Sequence, residues 1–306
     1  MKKIEKVIIC GLGGMGCICA TQMSKCKEIE FKVLVDEERY KRYKKEPTFF
    51  NNEPYFFDYA LPSDTNFQAD LIIIATKHDG LKAAINNIKN FVKENTIIIS
   101  LLNGISSEKE IAAVYGEDKV ITSFYIGHSS IREGRHIKQD GIYKFVVGIK
   151  SKEENEKLKK LIDFFEITKI NYEVSTKIES EYWKKFIINV GINQLSASTG
   201  LTLKEIKKDK KLTDLLKEIM KEAENIAAAC NIKGHKQIYK DAEKFLLEDI
   251  DDAFPSMLQD IVAKRKTEVD IFAGTIIELG KKYNIETPIN KELYKIIKDK
   301  EKQTRN

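Results

Sequence analysis

Apolar and polar positions along the chain change rhythm once. In the first half, short apolar runs rich in Ile and Val recur within residues 4–10 and at Lys32–Val35, Leu71–Ala75, Thr96–Leu102 and Lys119–Phe124. They do not alternate with polar residues, which predicts central strands of a parallel sheet covered on both faces. Helical stretches around Gly80–Val92 and Ser107–Tyr115 separate them, and Ser107-x-x-Glu110 has the form of a capping box. Gly134, Gly141 and Gly148 surround an apolar run at Tyr143–Ile149, which predicts strands closing the sheet edge. Beyond about Val174 no strand pattern appears. Long Lys/Glu/Leu/Ile segments with helical periodicity run to the C-terminus, punctuated by Gly191, Gly200, Gly234, Gly274, Gly280, Pro255 and Pro288. Pro288, after Thr287, fits the first turn of a last helix.

The first apolar run flows directly into Gly11-Leu12-Gly13-Gly14-Met15-Gly16, and a small-residue apolar stretch follows to about Cys26. That is the strand–turn–helix setting of the dinucleotide-binding fingerprint. Gly11 permits the tight turn, Gly13 lets the backbone approach a pyrophosphate, and Gly16 lets the helix pack close to the strand. The pyrophosphate would rest on the free N–H groups of the helix N-terminus. Asp36 lies twenty residues beyond Gly16, the spacing expected of a ribose ligand. The expected fold is therefore α/β: a Rossmann-type dinucleotide-binding domain over 1–173, then an all-helical domain over 174–306 for substrate and catalysis. A ligand cleft is expected between them. With 306 residues, each part is long enough for its own core.

The net charge of +5 comes from 52 Lys and Arg nearly balanced by 47 Asp and Glu, interspersed along helices. These read as solvated faces. The densest basic cluster, Lys207 to Lys211, is broken by Asp209. No nucleic-acid partner is expected. No apolar run approaches membrane-spanning length, and two lysines pass straight into the first strand, so neither membrane nor secretion is expected. Four of the five cysteines (Cys10, Cys17, Cys19, Cys26) crowd the first strand and helix, where Cys acts as a small buried hydrophobe. Reduced thiols and a cytoplasmic location follow. His78, His128, His136 and His235 are scattered, so no metal is expected.

Three clusters carry candidate chemistry. Lys185, Asn189 and Asn193 recur at i, i+4 and i+8 within an otherwise apolar helix beginning near Trp183. A buried polar row of this kind is costly unless its members meet a ligand or one another. Burial also lowers the pKa of a lysine, which fits it to move a proton near neutral pH. The second cluster is Ser256, Asp260 and Glu268, whose multiples-of-four spacing places them along one helical face. The third is Asn103-Gly104, beyond the carboxyl end of a strand, where open α/β sheets bind ligands. Lys77 stands at the same edge and could reach a cofactor phosphate.

Together these residues resemble the ketopantoate reductase family over nearly the whole chain. The resemblance rests on the glycine loop, Asn103-Gly104, Trp183-Lys-Lys185 with Asn189 and Asn193, and Ser256-Met-Leu-Gln-Asp260 continuing to Glu268. It implies reduction of 2-dehydropantoate to pantoate, in the route to pantothenate and coenzyme A. Lys185 matches the family's catalytic lysine and Glu268 the glutamate that helps hold it. Asn103, Asn189, Asn193 and Ser256 match substrate-contacting positions, and Gly11 to Gly16, Asp36, Lys77 and Asn103 face the cofactor. The family favours NADP(H). Asp36 leans towards NAD(H), while Arg39, Lys41 and Arg42 nearby could hold a 2′-phosphate. A homodimer is expected from the family. The alternatives are a reductase of another small 2-keto acid, or a non-catalytic dinucleotide sensor; the presence of both Lys185 and Glu268 argues against the sensor.

Overall fold

A computed structural model of the chain describes residues 3–127, 130–139, 141–148, 155–250 and 252–303. His128 and Ile149 lie outside the described residues. The chain divides into two compact units: Met1–Asn103 with Ser107–Ile178, and Gly104–Ser106 with Glu179–Asn306.

The first unit alternates strand and helix: β1 (Lys6–Cys10), α1 (Gly14–Met23), β2 (Glu30–Leu34), α2 (Glu37–Tyr43), β3 (Thr48–Phe50), β4 (Glu53–Tyr55), β5 (Tyr59–Ala60) and β6 (Leu71–Ile74). It continues through α3 (Leu81–Asn87), β7 (Ile97–Ser100), α4 (Ser107–Tyr115), β8 (Val120–Gly127), β9 (Ile131–Glu133), β10 (His136–Lys138), β11 (Tyr143–Gly148), α5 (Asn155–Thr168) and β12 (Tyr172–Ser175). Among the described residues, eight strands form one sheet in the order β12-β11-β8-β7-β6-β1-β2-β5. Neighbours are parallel except β11, which runs antiparallel to β8. A small second sheet, β4-β3-β10-β9, has no counterpart in the sequence reading, because three-residue strands are too short to show a period.

The non-alternating apolar runs have a direct cause. Val7 and Ile9 of β1, with Leu71, Ile73, Ile97 and Ile99, pack on one face against Cys17, Ile18 and Met23 of α1 and Phe164 and Phe165 of α5. The intervening Ile8, Cys10, Ile72, Ile74 and Ile98 pack on the other face against Leu81, Ala84 and Ile85 of α3 and Ile111 of α4. Both faces are dry, so consecutive positions in the middle of these strands are apolar. Each such side chain contributes about 1.5–3 kcal/mol on burial. Cys10 pairs with Leu34 and Ile74, and Ile74 with Ser100, so the carboxyl ends of β1, β2, β6 and β7 finish level. The segments at Gly11, Asp36, Lys77 and Asn103 therefore leave the sheet from one edge.

The second unit is helical: α6 (Ile178–Thr199), α7 (Leu203–Lys207), α8 (Lys210–Ala229), α9 (His235–Lys244), α10 (Ser256–Val262), α11 (Thr275–Tyr283) and α12 (Pro288–Gln303). Two π-helical turns, Phe245–Asp249 and Asp270–Gly274, interrupt them. Pro288 opens α12 as its fixed φ predicts. Gly191 lets α6 approach α8: a Cβ there would lie 2.6 Å from the Met220 side chain.

Two local expectations fail. Ser107 is the first helical residue of α4 and not its cap: its hydroxyl donates to Glu108 at 2.9 Å, while Glu110 faces His78 at 3.4 Å. A complete capping box forms instead at Thr202 and Glu205, opening α7. Ser256 and Asp260 share α10, but Glu268 does not continue that face. Arg265 closes α10 by donating its backbone N–H to Asp260 O, and Lys264 adopts φ +54. Regular helical spacing cannot cross that left-handed turn.

The packing of the first unit generates two expected outcomes. A Cβ on Gly16 would lie 1.9 Å from the Gly11 carbonyl oxygen. Gly16→Ala should cost about 1–3 kcal/mol in denaturant titration, and an unchanged midpoint would show that α1 can back away from β1. Asp70 accepts from the backbone N–H groups of Glu5 and Lys6 (3.0 and 2.9 Å) and from Lys93 at 2.6 Å. Burial alone would raise its carboxyl pKa, but Lys93 and the two N–H groups bring it net below the ordinary value. A folded pKa below the unfolded one means the stabilisation is present above the unfolded value of about 4 and is lost as pH falls through the folded value. Asp70→Asn should thus lower the urea midpoint at neutral pH, and the gap to the parent should close on acidification.

Candidate active site

The glycine loop forms a backbone cradle in the first unit. Gly11 takes φ +100, and a Cβ there would lie 2.6 Å from the Ala75 carbonyl oxygen. Only glycine lets the end of β1 pass beside the end of β6 in this way. Gly13 caps α1 without a side-chain acceptor, and nothing lies within 4 Å of where its Cβ would stand. The first turn of α1 carries no acidic residue. Leu12 is buried beneath the loop, and Met15 packs on the core. Gly14 accommodates Ser130, whose Oγ stands 1.5 Å from the Cβ position. At the next segment of the same edge, the Thr76 hydroxyl is buried with no hydrogen-bond partner. Open space, uncapped N–H groups and an unpartnered hydroxyl fit a bound pyrophosphate.

Asp36 follows β2 and caps α2. Its carboxylate accepts from the Arg39 backbone N–H at 2.7 Å and from the Arg39 guanidinium at 2.9 Å. The pair is exposed and neutral overall. Arg42, one turn on, stands 5.2 Å from the Tyr43 ring centroid, and Lys41 is exposed beside it. Lys77 is exposed and precedes the short turn His78–Gly80, while Asn103 is half-buried just beyond β7.

In the second unit, α6 buries Trp183, Phe186, Ile187, Val190 and Ile192, and carries Lys185, Asn189 and Asn193 along one face. Lys185 and Asn189 are half-buried; Asn193 is buried. Asn193 donates to Asn189 Oδ1 at 3.3 Å. Its own Oδ1 accepts from the Ser256 hydroxyl and from the Met257 backbone N–H, both at 3.1 Å. Pro255 offers α10 no side-chain cap, so Asn193 satisfies the start of α10 from another helix. The structure thereby joins Asn189, Asn193 and Ser256 in one polar group, with Lys185 one turn away from Asn189.

Glu268 lies in the irregular segment between α10 and the Asp270–Gly274 turn. Its carbonyl accepts from Ile271 and Phe272 N–H at 3.0 and 3.3 Å. Phe272 packs on Phe186, the neighbour of Lys185, with centroids 6.4 Å apart. That ring contact packs the Asp270–Gly274 turn, which follows Glu268, against α6.

Several polar residues here escaped the sequence reading. Gln194 donates to Asn290, and Asn290 to Glu222, tying α6, α8 and α12 through the interior. Glu301 accepts from both the N–H and the hydroxyl of Thr267. Glu301 had a signal: it shares the buried face of α12 with Leu293 and Ile297, where an acid is out of place. Cys10, Cys17 and Cys19 are buried free thiols, and burial pushes those of Cys10 and Cys17 up to about 12, out of reach of nucleophilic chemistry. Among the described residues, no three His, Cys, Asp or Glu converge as metal ligands, and no helix is long and apolar enough to cross a membrane.

The sequence model of ketopantoate reductase PanE/ApbA matches residues 7–152, and that of the ketopantoate reductase PanE/ApbA C terminal matches residues 177–301. A 2-dehydropantoate 2-reductase of Aquifex aeolicus is 29% identical over 308 residues, 97% of each chain. One from Pyrococcus horikoshii is 31% identical over 244 residues, 79% of each. Among solved structures, a ternary complex of D-mandelate dehydrogenase with NADH and anilino(oxo)acetate aligns with a TM-score of 0.85 at 24% identity, over 98% of this chain and 100% of that one, and shares the fold. With both family models matched in order, and relatives aligned across both units, the chain belongs to the ketopantoate reductase family.

Proposed function

We propose that this protein reduces 2-dehydropantoate to pantoate at the expense of a nicotinamide dinucleotide, with NADP(H) as the cofactor. The observation that carries the reading is the polar group on α6. A buried amide and a half-buried amide of α6 and a hydroxyl of α10 are hydrogen-bonded together, one turn from a half-buried lysine. Such a group is costly in a core unless its members meet one another or a polar ligand, and the half-buried Lys185 and Asn189 leave it open to one.

The Gly11–Gly16 cradle and Thr76 would hold the pyrophosphate, and the Asp36 edge would meet the adenosine ribose. When bound, the dinucleotide supplies the hydride that a carbonyl carbon accepts. Lys185 acts on the carbonyl oxygen: its ammonium stabilises the negative charge that develops there and then donates a proton to it. Asn189, Asn193 and Ser256 offer the hydrogen bonds that hold a small carboxylate with its oxygen towards Lys185. Asn103 contributes a further amide. Glu268 offsets the lysine's charge and holds its orientation. One hydride and one proton convert the keto acid to the hydroxy acid, so the step balances without a metal.

Asp36 opposes a 2′-phosphate by like charge, and its tie to Arg39 removes the nearest cation from that task. Asp36→Ala should therefore raise affinity for NADPH relative to NADH by about tenfold, read by fluorescence titration of each; an unchanged ratio would show that Asp36 lies away from the ribose. Purified protein should oxidise NADPH when given 2-dehydropantoate, and a panel of other 2-keto acids tests the competing substrates. Lys185→Ala should slow turnover by about 10²–10⁴-fold with cofactor affinity little changed; full turnover in that variant sinks the assignment.

A further inference from the structure

Glu268 projects from a stretch that has no regular backbone. Residues 263–269 belong to neither α10 nor the following π-helical turn, and Lys264 within them is left-handed. A side chain on such a segment keeps its place only if tertiary contacts hold the backbone on either side.

Both sides are held, and by one helix. On the amino side, Thr267 is buried and donates its N–H and its hydroxyl to the same Glu301 oxygen, each at 2.7 Å. The Thr267 hydroxyl also accepts from Val269 N–H at 3.2 Å, which folds the backbone around Glu268. On the carboxyl side, Asp270 accepts from the Tyr294 hydroxyl and from Lys298, both at 2.8 Å. Lys298 stands 3.4 Å from Glu301 and so joins the two attachments. Tyr294, Lys298 and Glu301 recur at i, i+4 and i+7 on α12.

The cost of this arrangement points to its use. Glu301 is only 6% exposed. A buried carboxylate is expensive, and an apolar residue on that face would hold α12 in place as well or better. The π-helical turn begins two residues after Glu268, where a wide turn re-aims the chain.

We infer that α12 positions Glu268, with Glu301 as the positioning residue and Thr267, Asp270, Tyr294 and Lys298 as its means. The inference rests on the proposed role of Glu268, and the test separates the two. The variants are Glu301→Leu, Glu301→Gln, Glu268→Ala and Glu268→Ala with Glu301→Leu. Each is assayed for kcat, KM, NADPH affinity and thermal midpoint, and by hydrogen exchange over residues 263–270. Glu301→Leu should lose about 10–100-fold in kcat, with NADPH affinity unchanged. Glu301→Gln keeps an acceptor for Thr267 and should recover most of that loss. The double variant should be no slower than Glu268→Ala alone, since the positioned group is already gone. Exchange at Thr267 and Val269 should quicken in Glu301→Leu and not in Glu301→Gln, whether or not the protein turns over. Unchanged exchange, additive losses in the double variant, or parental kcat in Glu301→Leu beside an impaired Glu268→Ala would overturn the inference. Parental kcat in Glu268→Ala would overturn the role of Glu268 itself and leave exchange to judge the tie. If Glu301→Leu does not fold, Thr267→Val with Tyr294→Phe removes both hydrogen bonds of the Thr267 hydroxyl on one side of Glu268 and the Tyr294–Asp270 bond on the other. Parental kcat and exchange there would equally overturn it.

Discussion

The second unit is organised around one buried amide. Asn193 is buried on α6 among Val190, Ile192 and Leu195, and leaving either end of its side chain unpaired would cost about 1–3 kcal/mol. Its oxygen takes the Ser256 hydroxyl and the Met257 N–H; its nitrogen goes to Asn189. Satisfying it therefore sets where α10 begins and brings Ser256 to α6. The same requirement gathers the polar group that the proposed chemistry uses. Stability and site share one set of hydrogen bonds.

In the first unit the governing constraint is backbone proximity. Gly11 passes within contact of Ala75, and Gly16 within contact of Gly11, so α1 starts close against β1. That closeness aims the uncapped N–H groups of α1 into open space at the sheet edge. The level ends of β1, β2, β6 and β7 put Asp36, Thr76 and Asn103 on that edge as well. The cradle is made almost wholly of main chain, which is why glycines, and not charged side chains, mark it.

Several charged groups are committed to local partners. Asp36 is committed to capping α2 and to Arg39, although the spacing alone presents it as a ribose ligand. Glu224 is buried between Lys221 and His235, where burial would raise its carboxyl pKa but the hydrogen bonds with Lys221 and His235 bring it net below the ordinary value. The net charge of +5 is the near balance of 52 Lys and Arg against 47 Asp and Glu.

Much of this was legible in residue order, because it depends on neighbours. Apolar runs without alternation mean a sheet covered twice, and Ile-rich strands such as Leu71–Ile74 sit where that rule puts them. The glycine spacing marks the cradle, and the i, i+4, i+8 row of Lys185, Asn189 and Asn193 lies on α6 as a single face. The rest depends on distance along the chain. Periodicity carried Ser256 through to Glu268 as one helix, and only the left-handed turn at Lys264 breaks it. The small sheet joins Thr48–Phe50 to His136–Lys138, and Glu301 reaches Thr267 across 34 residues. A helical period or a glycine spacing is a property of adjacent residues and is written in their order. A hydrogen bond between distant segments exists only once burial has forced each polar group to find whichever partner the fold brings near.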